Sequence, residues 1–278
     1  MRTVRASATA CAIFLAALSN AGAQPLFGST GSGTFTPQSG QAGKDVIWIP
    51  SPQALVDRML DMAGATPADY LIDLGSGDGR TVITAAKRGI KALGVEYNPQ
   101  MVELSRAAAA AAGVADKATF VHGDIFETDF SQADVLTLFL LDTLNMRLRP
   151  TILSMKPGTR VVSNTFKMGD WTPDQTIEAG GDCTSYCTAH KWTVPAKVGG
   201  TWRLPDGELT LTQRYQMVTG SMSAGGTQTP ITEGRLNGAE LSFVAGGKRF
   251  KGIVSGTRIE ATAPDGSQQI WIGVLNDG

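Results

Sequence analysis

The sequence predicts an α/β unit built on a doubly wound, mostly parallel sheet, followed by a small antiparallel β-barrel or sandwich. Three observations predict it. From residue 46 to 171, short apolar runs of strand length alternate with segments of helical period, the rhythm of a parallel sheet covered by helices on both faces. A glycine-rich turn, Asp73-Leu74-Gly75-Ser76-Gly77-Asp78-Gly79, joins the first of these strands directly to a helix. From 190 to 278 the chain reads instead as short strands separated by dense turn signals.

The composition bounds the function. The chain has 278 residues, with 24 basic and 25 acidic side chains. A net charge of −1 argues against a chain that grips nucleic acid through its phosphates. Only 18% of the residues are charged and 33 are glycine, which favours tight turns over a long coiled coil. Three cysteines are too few for a disulfide scaffold, and their odd number leaves one without a partner.

Residues 1–23 read as a signal peptide. Arg2 and Arg5 precede an uncharged stretch from Ala6 to Leu18, and Ala21-Gly22-Ala23 is the small-residue pattern of a cleavage site. A membrane span needs about 20 apolar residues, so this stretch is too short for one. Cleavage after Ala23 removes Cys11 and two arginines, which leaves two cysteines and moves the net charge from −1 to −3. The chain is thus expected to be exported, periplasmic or secreted, with no transmembrane segment after cleavage. Residues 24–45 are rich in Gly, Ser, Thr, Pro and Gln and read as a flexible lead-in.

Ser51-Pro52 then opens a helix, with Ser as N-cap and Pro at its first position, and Leu55, Val56, Met59 and Leu60 recur at helical spacing up to Gly64. Tyr70 to Leu74 is a buried strand, and Arg80 to Arg88 a helix ended by Gly89. Ala92 to Val95 is the second strand. Asn98-Pro99 opens a third helix that runs through six alanines to Gly113. Further strands are expected at 119–122, 135–141 and 159–163.

The glycine turn is where the chemistry enters. A ligand there sits over the carboxyl ends of the strands and against a helix N-terminus. A dinucleotide fold wants its third glycine at position 80, which is Arg80 here, so a nicotinamide oxidoreductase is disfavoured. Asp73 would repel a pyrophosphate but suits a ligand carrying an ammonium and a sulfonium. Glu96, at the end of the second strand, can accept both hydrogen bonds of a ribose diol. After the third strand, Gly123-Asp124-Ile125 offers an acid and an apolar neighbour to an adenine. Asp73, Gly75, Ser76, Gly77, Gly79, Glu96, Asp124 and Ile125 together form a candidate S-adenosylmethionine site.

The run LIDLGSGDGRTVITAAKRGIKALGVEYNPQMVELSR resembles the class I, Rossmann-like methyltransferases. Within them it is similar to the protein-lysine methyltransferases related to the ATP synthase c-subunit enzyme. Ile49-Pro50-Ser51-Pro52 is similar to that family's proline motif, residues 137–150 to its fourth-strand motif and 158–166 to its fifth. The resemblance implies S-adenosylmethionine as methyl donor and a protein lysine, or a small-molecule nucleophile, as acceptor. Asp142 departs from the proline that the family often carries after the Leu-Leu pair. Methyl transfer asks chiefly for positioning of the acceptor. Asp142 and Asn145, just after the fourth strand, are the catalytic candidates, with an ordinary helix cap as the competing reading.

In the second unit, eight runs from KWTVPAKV to QQIWIGVL alternate with turns such as Asn237-Gly238 and Gly246-Gly247. The GTWRL opening resembles lipocalin-like barrels at the level of the fold. A filled core that braces the first unit is favoured over a ligand cavity. In the connection, residues 172–189, Cys183 and Cys187 are expected to form a short-loop disulfide. Free thiols, or a zinc site with Asp182 and His190, are the weaker readings, and no metal site is assigned. The leading reading is an exported methyltransferase. Its rival is a non-catalytic binding module whose β-unit binds a ligand or partner.

Overall fold

A computed structural model describes residues 35–181, 183–262 and 269–276. The leader read at 1–23, most of the lead-in and Asp182 lie outside the described residues.

The first unit has four helices, α1 (Gln53–Ala63), α2 (Arg80–Lys87), α3 (Pro99–Ala111) and α4 (Asp142–Ile152). Its strands are β1 (Tyr70–Leu74), β2 (Lys91–Glu96), β3 (Ala118–His122), β4 (Val135–Leu138), β5 (Arg160–Asn164), β6 (Gln175–Glu178) and β7 (Thr188–Thr193). They form one sheet in the order β3-β2-β1-β4-β5-β7-β6. The pairs among β1 to β5 are parallel, and β7 runs antiparallel to both β5 and β6. The strand order reverses between β1 and β4, which is where an open α/β sheet leaves a crevice for a ligand. Leu71, Leu74, Val135, Leu136, Val161 and Val162 are fully buried, as a sheet covered on both faces requires.

Local signals explain most of the element ends. Asn98 caps α3, its side chain accepting from the N–H groups of Gln100 and Met101. Gly64 ends α1 in the left-handed conformation. The expected cap at Ser51 does not form: Pro52 holds the N-cap position of α1 without a side-chain bond. Ser51 instead accepts from Asn164 Nδ2 at 3.0 Å, tying the entry of α1 to the end of β5.

The remaining strands are β8 (Gly200–Leu204), β9 (Gly207–Arg214), β10 (Met217–Ala224), β11 (Thr227–Asn237), β12 (Glu240–Ala245), β13 (Lys248–Ser255), β14 (Arg258–Thr262) and β15 (Gln269–Leu275). They close into an eight-stranded antiparallel barrel, which decides between the two architectures expected. Trp202, Leu209, Leu236, Leu241, Phe243 and Ile259 fill its core.

Two boundaries differ from the sequence reading. The run at 190–194 ends the first sheet instead of opening the second unit, because His190, Lys191 and Trp192 pair with Ser163, Val162 and Val161 of β5. The eight barrel strands are still reached, because the run 208–223 folds into two strands around a turn at Tyr215–Gln216. The sequence could not show that turn: Tyr215 takes a positive φ of 55° without a glycine or asparagine to advertise it.

That turn is also where the barrel meets the sheet. Gln216, 3% exposed, accepts from Trp171 Nε1 at 2.9 Å and donates to Thr172 O at 2.8 Å. Tyr215 stacks on Trp171 with centroids 5.8 Å apart, and Arg235 pairs with Asp174 at 2.6 Å.

Candidate functional site

A cavity of about 240 Å³ opens at the carboxyl ends of β1 to β4. Asp73, Gly75, Ser76, Gly77, Glu96, Asp124 and Ile125 all line it. Of the binding residues expected from the sequence, Gly79 is set back from this wall. Its φ of +80° and the Phe120 ring, 2.7 Å from where a β-carbon would stand, show a glycine needed for packing beneath the turn.

The glycine turn is built by β1 and the start of α2. The N–H groups of Gly75 and Ser76 both donate to Val95 O, at 2.9 and 3.0 Å, which fastens the turn to β2. Ser105 of α3 donates to Gly77 O at 3.0 Å from a fully buried position. Arg80 pairs with Asp78 at 2.5 Å and donates to Ser51 O at 2.7 Å, so it braces the turn.

Five carboxylates line the cavity, and Asp73, Glu96 and Asp124 are the three expected from the sequence. Asp73 is 7% exposed and accepts a 2.6 Å hydrogen bond from Thr137. Burial pushes its carboxyl up to about 7; the Thr137 hydrogen bond opposes this, and the negative charges of Glu96 and Asp78 add to it. Glu96 accepts from Gly77 N–H at 2.9 Å through one oxygen and from Asn98 N–H at 2.8 Å through the other. Each oxygen keeps a second lone pair for a diol. Asp124 accepts from Phe126 N–H at 2.9 Å and pairs with Lys44, whose side-chain hydrogen bond holds its carboxyl below the usual range.

Lys44 belongs to a segment that the sequence placed in the flexible lead-in. Among the described residues, Gly40 to Trp48 instead form a small hairpin along the cavity. Gly40 N–H donates to Trp48 O at 2.8 Å, Trp48 N–H to Gln41 O at 2.9 Å, and Ala42 bridges to Ile47. Trp48 Nε1 lies 2.5 Å from the place a β-carbon on Gly77 would take. The low charge and many small residues of the segment concealed this role, and Trp48 beside Ile49-Pro50 was the only signal that could have revealed it.

The two catalytic candidates lie off the cavity wall. Asp142 starts α4 and accepts from Lys167 N–H at 2.6 Å, so it ties the helix to the loop after β5. Asn145 is fully buried and its Nδ2 faces Ser163 Oγ, Phe166 O and Lys167 O at 3.2 to 3.3 Å. Both brace the loop that carries Phe166. Phe139, Leu140, Leu141 and Leu144 are the residues after β4 that reach the cavity, together with Phe166 and Tyr186 after β5.

Cys183 and Cys187 form a disulfide. Their sulfurs are thus not available as metal ligands. His190 is buried, with Nδ1 2.9 Å from Thr176 Oγ1 and Nε2 3.2 Å from Thr165 O. Burial, aided by the charge of Lys167, lowers its pKa. Among the described residues no group of three His, Cys, Asp or Glu side chains could hold a metal ion. No described helix is long and apolar enough to cross a membrane.

The cavity fits S-adenosylmethionine on the chain's own features. A buried carboxylate at Asp73 gains from a cation beside it. Glu96 presents both oxygens at the end of β2. The turn at Gly75 and Gly77 holds positive φ values of 78° and 54°, so the backbone is open to close approach.

Comparison with known proteins agrees. The ANTKMT methyltransferase domain matches residues 73–175. A protein-lysine N-methyltransferase of Saccharolobus islandicus is 43% identical over 136 residues, which are 48% of this chain and 84% of that protein. The lysine N-methyltransferase of the ATP synthase c-subunit from Mus musculus is 40% identical over 113 residues, 40% of this chain and 46% of that protein. An RNA methyltransferase from Salinibacter ruber, solved with S-adenosyl-L-homocysteine, is 45% identical, with a TM-score of 0.50, over 54% of this chain and 96% of that one. The matched domain ends at residue 175, ahead of the disulfide loop and the barrel.

Proposed function

The chain belongs to the ANTKMT methyltransferase family and uses S-adenosylmethionine, and from that premise we propose that it methylates the ε-amino group of a protein lysine outside the cytoplasm. The observation that carries the reading is the acid-lined cavity, with Asp73 buried at one place and Glu96 at another. Phe139, Leu140, Leu141 and Phe166 add apolar surface to its wall.

S-adenosylmethionine, when bound, supplies a methyl group already activated on a sulfonium. The chain's residues then have a limited task. Asp73 holds a cationic amino group, Glu96 a diol, and Asp124 with Ile125 an adenine. The residues after β4 and β5 position the acceptor amine and exclude water. The names of the Saccharolobus and mouse relatives support lysine as the acceptor. Export is supported by the charged, apolar and small-residue pattern of residues 1–23 and by the Cys183–Cys187 disulfide, a bond that persists in oxidising compartments. The barrel, whose interior is packed by its own side chains, serves as a brace on the sheet.

The test is methyl transfer from radiolabelled S-adenosylmethionine to fractionated extracellular and periplasmic protein. The expected product after acid hydrolysis is methyl-lysine. Label recovered only in RNA, or in no acceptor although S-adenosylhomocysteine binds, overturns the lysine assignment. An alkaline phosphatase fusion to residues 1–23 that stays inactive overturns export.

A further inference from the structure

We propose that Tyr186, held by the Cys183–Cys187 disulfide, is a specificity-determining residue that completes with Phe139 and Phe166 an aromatic recess for an alkylammonium acceptor; this rests on the lysine reading above. The three rings come from three distant places: just after β4, just after β5, and the loop between β6 and β7. All three line the same cavity and are half-buried. The Phe139 and Tyr186 rings meet edge-on with centroids 5.2 Å apart, and those of Phe139 and Phe166 stack at 6.1 Å.

The surroundings select the ligand class. Leu140, Leu141 and Leu144, close in sequence to Phe139, line the same cavity. Ring faces beside leucine side chains suit a long alkyl stem that ends in a cation. The acceptor attacks as the neutral amine once its proton has passed to solvent. As the N–C bond forms and the sulfonium S–C bond breaks to leave S-adenosylhomocysteine, positive charge moves onto the nitrogen, so the ring faces favour the reacting state as well as binding.

The disulfide gives Tyr186 its place. Tyr186 holds a φ of +53°, a left-handed conformation that costs a non-glycine residue about 1 kcal/mol or more. The bond closes a loop of three residues around it, and both cysteines pack against the core of the first unit. Ala179 N–H also donates to Cys187 O at 2.7 Å, so the closing residue is fixed to the end of β6. Opening the bond frees the backbone to leave that conformation and takes the ring out of the recess.

The test uses the full chain saturated with S-adenosylhomocysteine, titrated by calorimetry with Nα-acetyl-lysine methylamide, its Nε-trimethyl form and the uncharged norleucine analogue. The expected result is binding of both cations in preference to norleucine. Tyr186→Ala should weaken the cations about tenfold, while Tyr186→Phe stays within about twofold of the parent. Reduction of the disulfide should weaken them in the same direction. S-adenosylhomocysteine affinity should hold within about twofold throughout, which a general loss of folding would not allow. The proposal is overturned if Tyr186→Ala or the reduced chain binds the cations as the parent does. It is equally overturned if Tyr186→Phe fails with Tyr186→Ala, or if the parent binds S-adenosylhomocysteine but neither cation. Absence of S-adenosylhomocysteine binding overturns the cofactor reading itself, and this inference with it.

Discussion

Thr137 Oγ1 donates a 2.6 Å hydrogen bond to Asp73 Oδ1 across the β1–β4 pair, with both residues buried. Register places them side by side, since Asp73 and Thr137 are direct partners in the parallel ladder. The bond falls at the point where the strand order reverses, and it holds a carboxylate that burial has pushed up to about 7.

This pair makes donor binding pH-dependent. A cation beside Asp73 requires the ionised carboxylate, so affinity for S-adenosylhomocysteine should rise with pH and level off above about 7. Between pH 8 and pH 6 the expected loss is about tenfold. Without ligand the sign is opposite. An acid with a raised folded pKa contributes stability at low pH that is lost as pH climbs from the ordinary carboxylate range to about 7. Asp73→Asn should therefore abolish the pH dependence, weaken binding strongly, and leave the unliganded chain more stable at pH 8. Thr137→Val should move the affinity midpoint to higher pH. Calorimetry and thermal melts from pH 5.5 to 8.5 check all four outcomes.

Gly77→Ala should damage donor binding by displacing the Trp48 ring. The new β-carbon would stand 2.5 Å from Trp48 Nε1, at a φ of +54°. Backbone strain of about 1–2 kcal/mol adds to the clash. The expected loss in S-adenosylhomocysteine affinity is tenfold or more, with a changed tryptophan fluorescence. Trp48→Ala combined with Gly77→Ala should recover part of the affinity, because the clash is then relieved and only the strain remains.

Asn145→Ala should act on stability. Its amide is fully buried and donates to the carbonyls of the loop after β5. Leaving those acceptors unpaired costs about 1–3 kcal/mol, or several degrees in the melting temperature. Affinity for S-adenosylhomocysteine should stay within about threefold, as Asn145 is off the cavity wall. A variant that melts like the parent but transfers no methyl would return Asn145 to the reaction.

Gln216→Leu should loosen the barrel from the sheet. It removes the partners of Trp171 Nε1 and Thr172 O at a buried junction. The expected destabilisation is about 2–4 kcal/mol, and hydrogen exchange should rise first at Trp171 and in the β9–β10 turn. Exchange that rises evenly over both units would show that the junction is not the point of weakness.

The sequence determined everything that depends on a local pattern. Strand length, helix period, glycine stops and the acid-glycine turn follow from residues within about ten positions of one another. So did the placement of Asp73, Glu96 and Asp124 at the ends of successive strands, because a parallel sheet delivers all its strand ends to one edge. Other features were decided by contacts between distant segments. Lys44 reaches Asp124 across 80 positions of sequence, and Trp48 fills space above Gly77. Asn145, read as a catalytic candidate, turned to carbonyls some 20 residues away because a buried amide must find acceptors. Ladder pairing with β5 put residues 190–193 in the first sheet, where period alone had joined them to the barrel. The ring of Tyr186 meets Phe139 only once β4 and the disulfide loop are folded together. Local sequence fixes which backbone states are cheap. Which side chains then share a cavity is settled by the burial of surface from many segments at once, a quantity that no single stretch of residues contains.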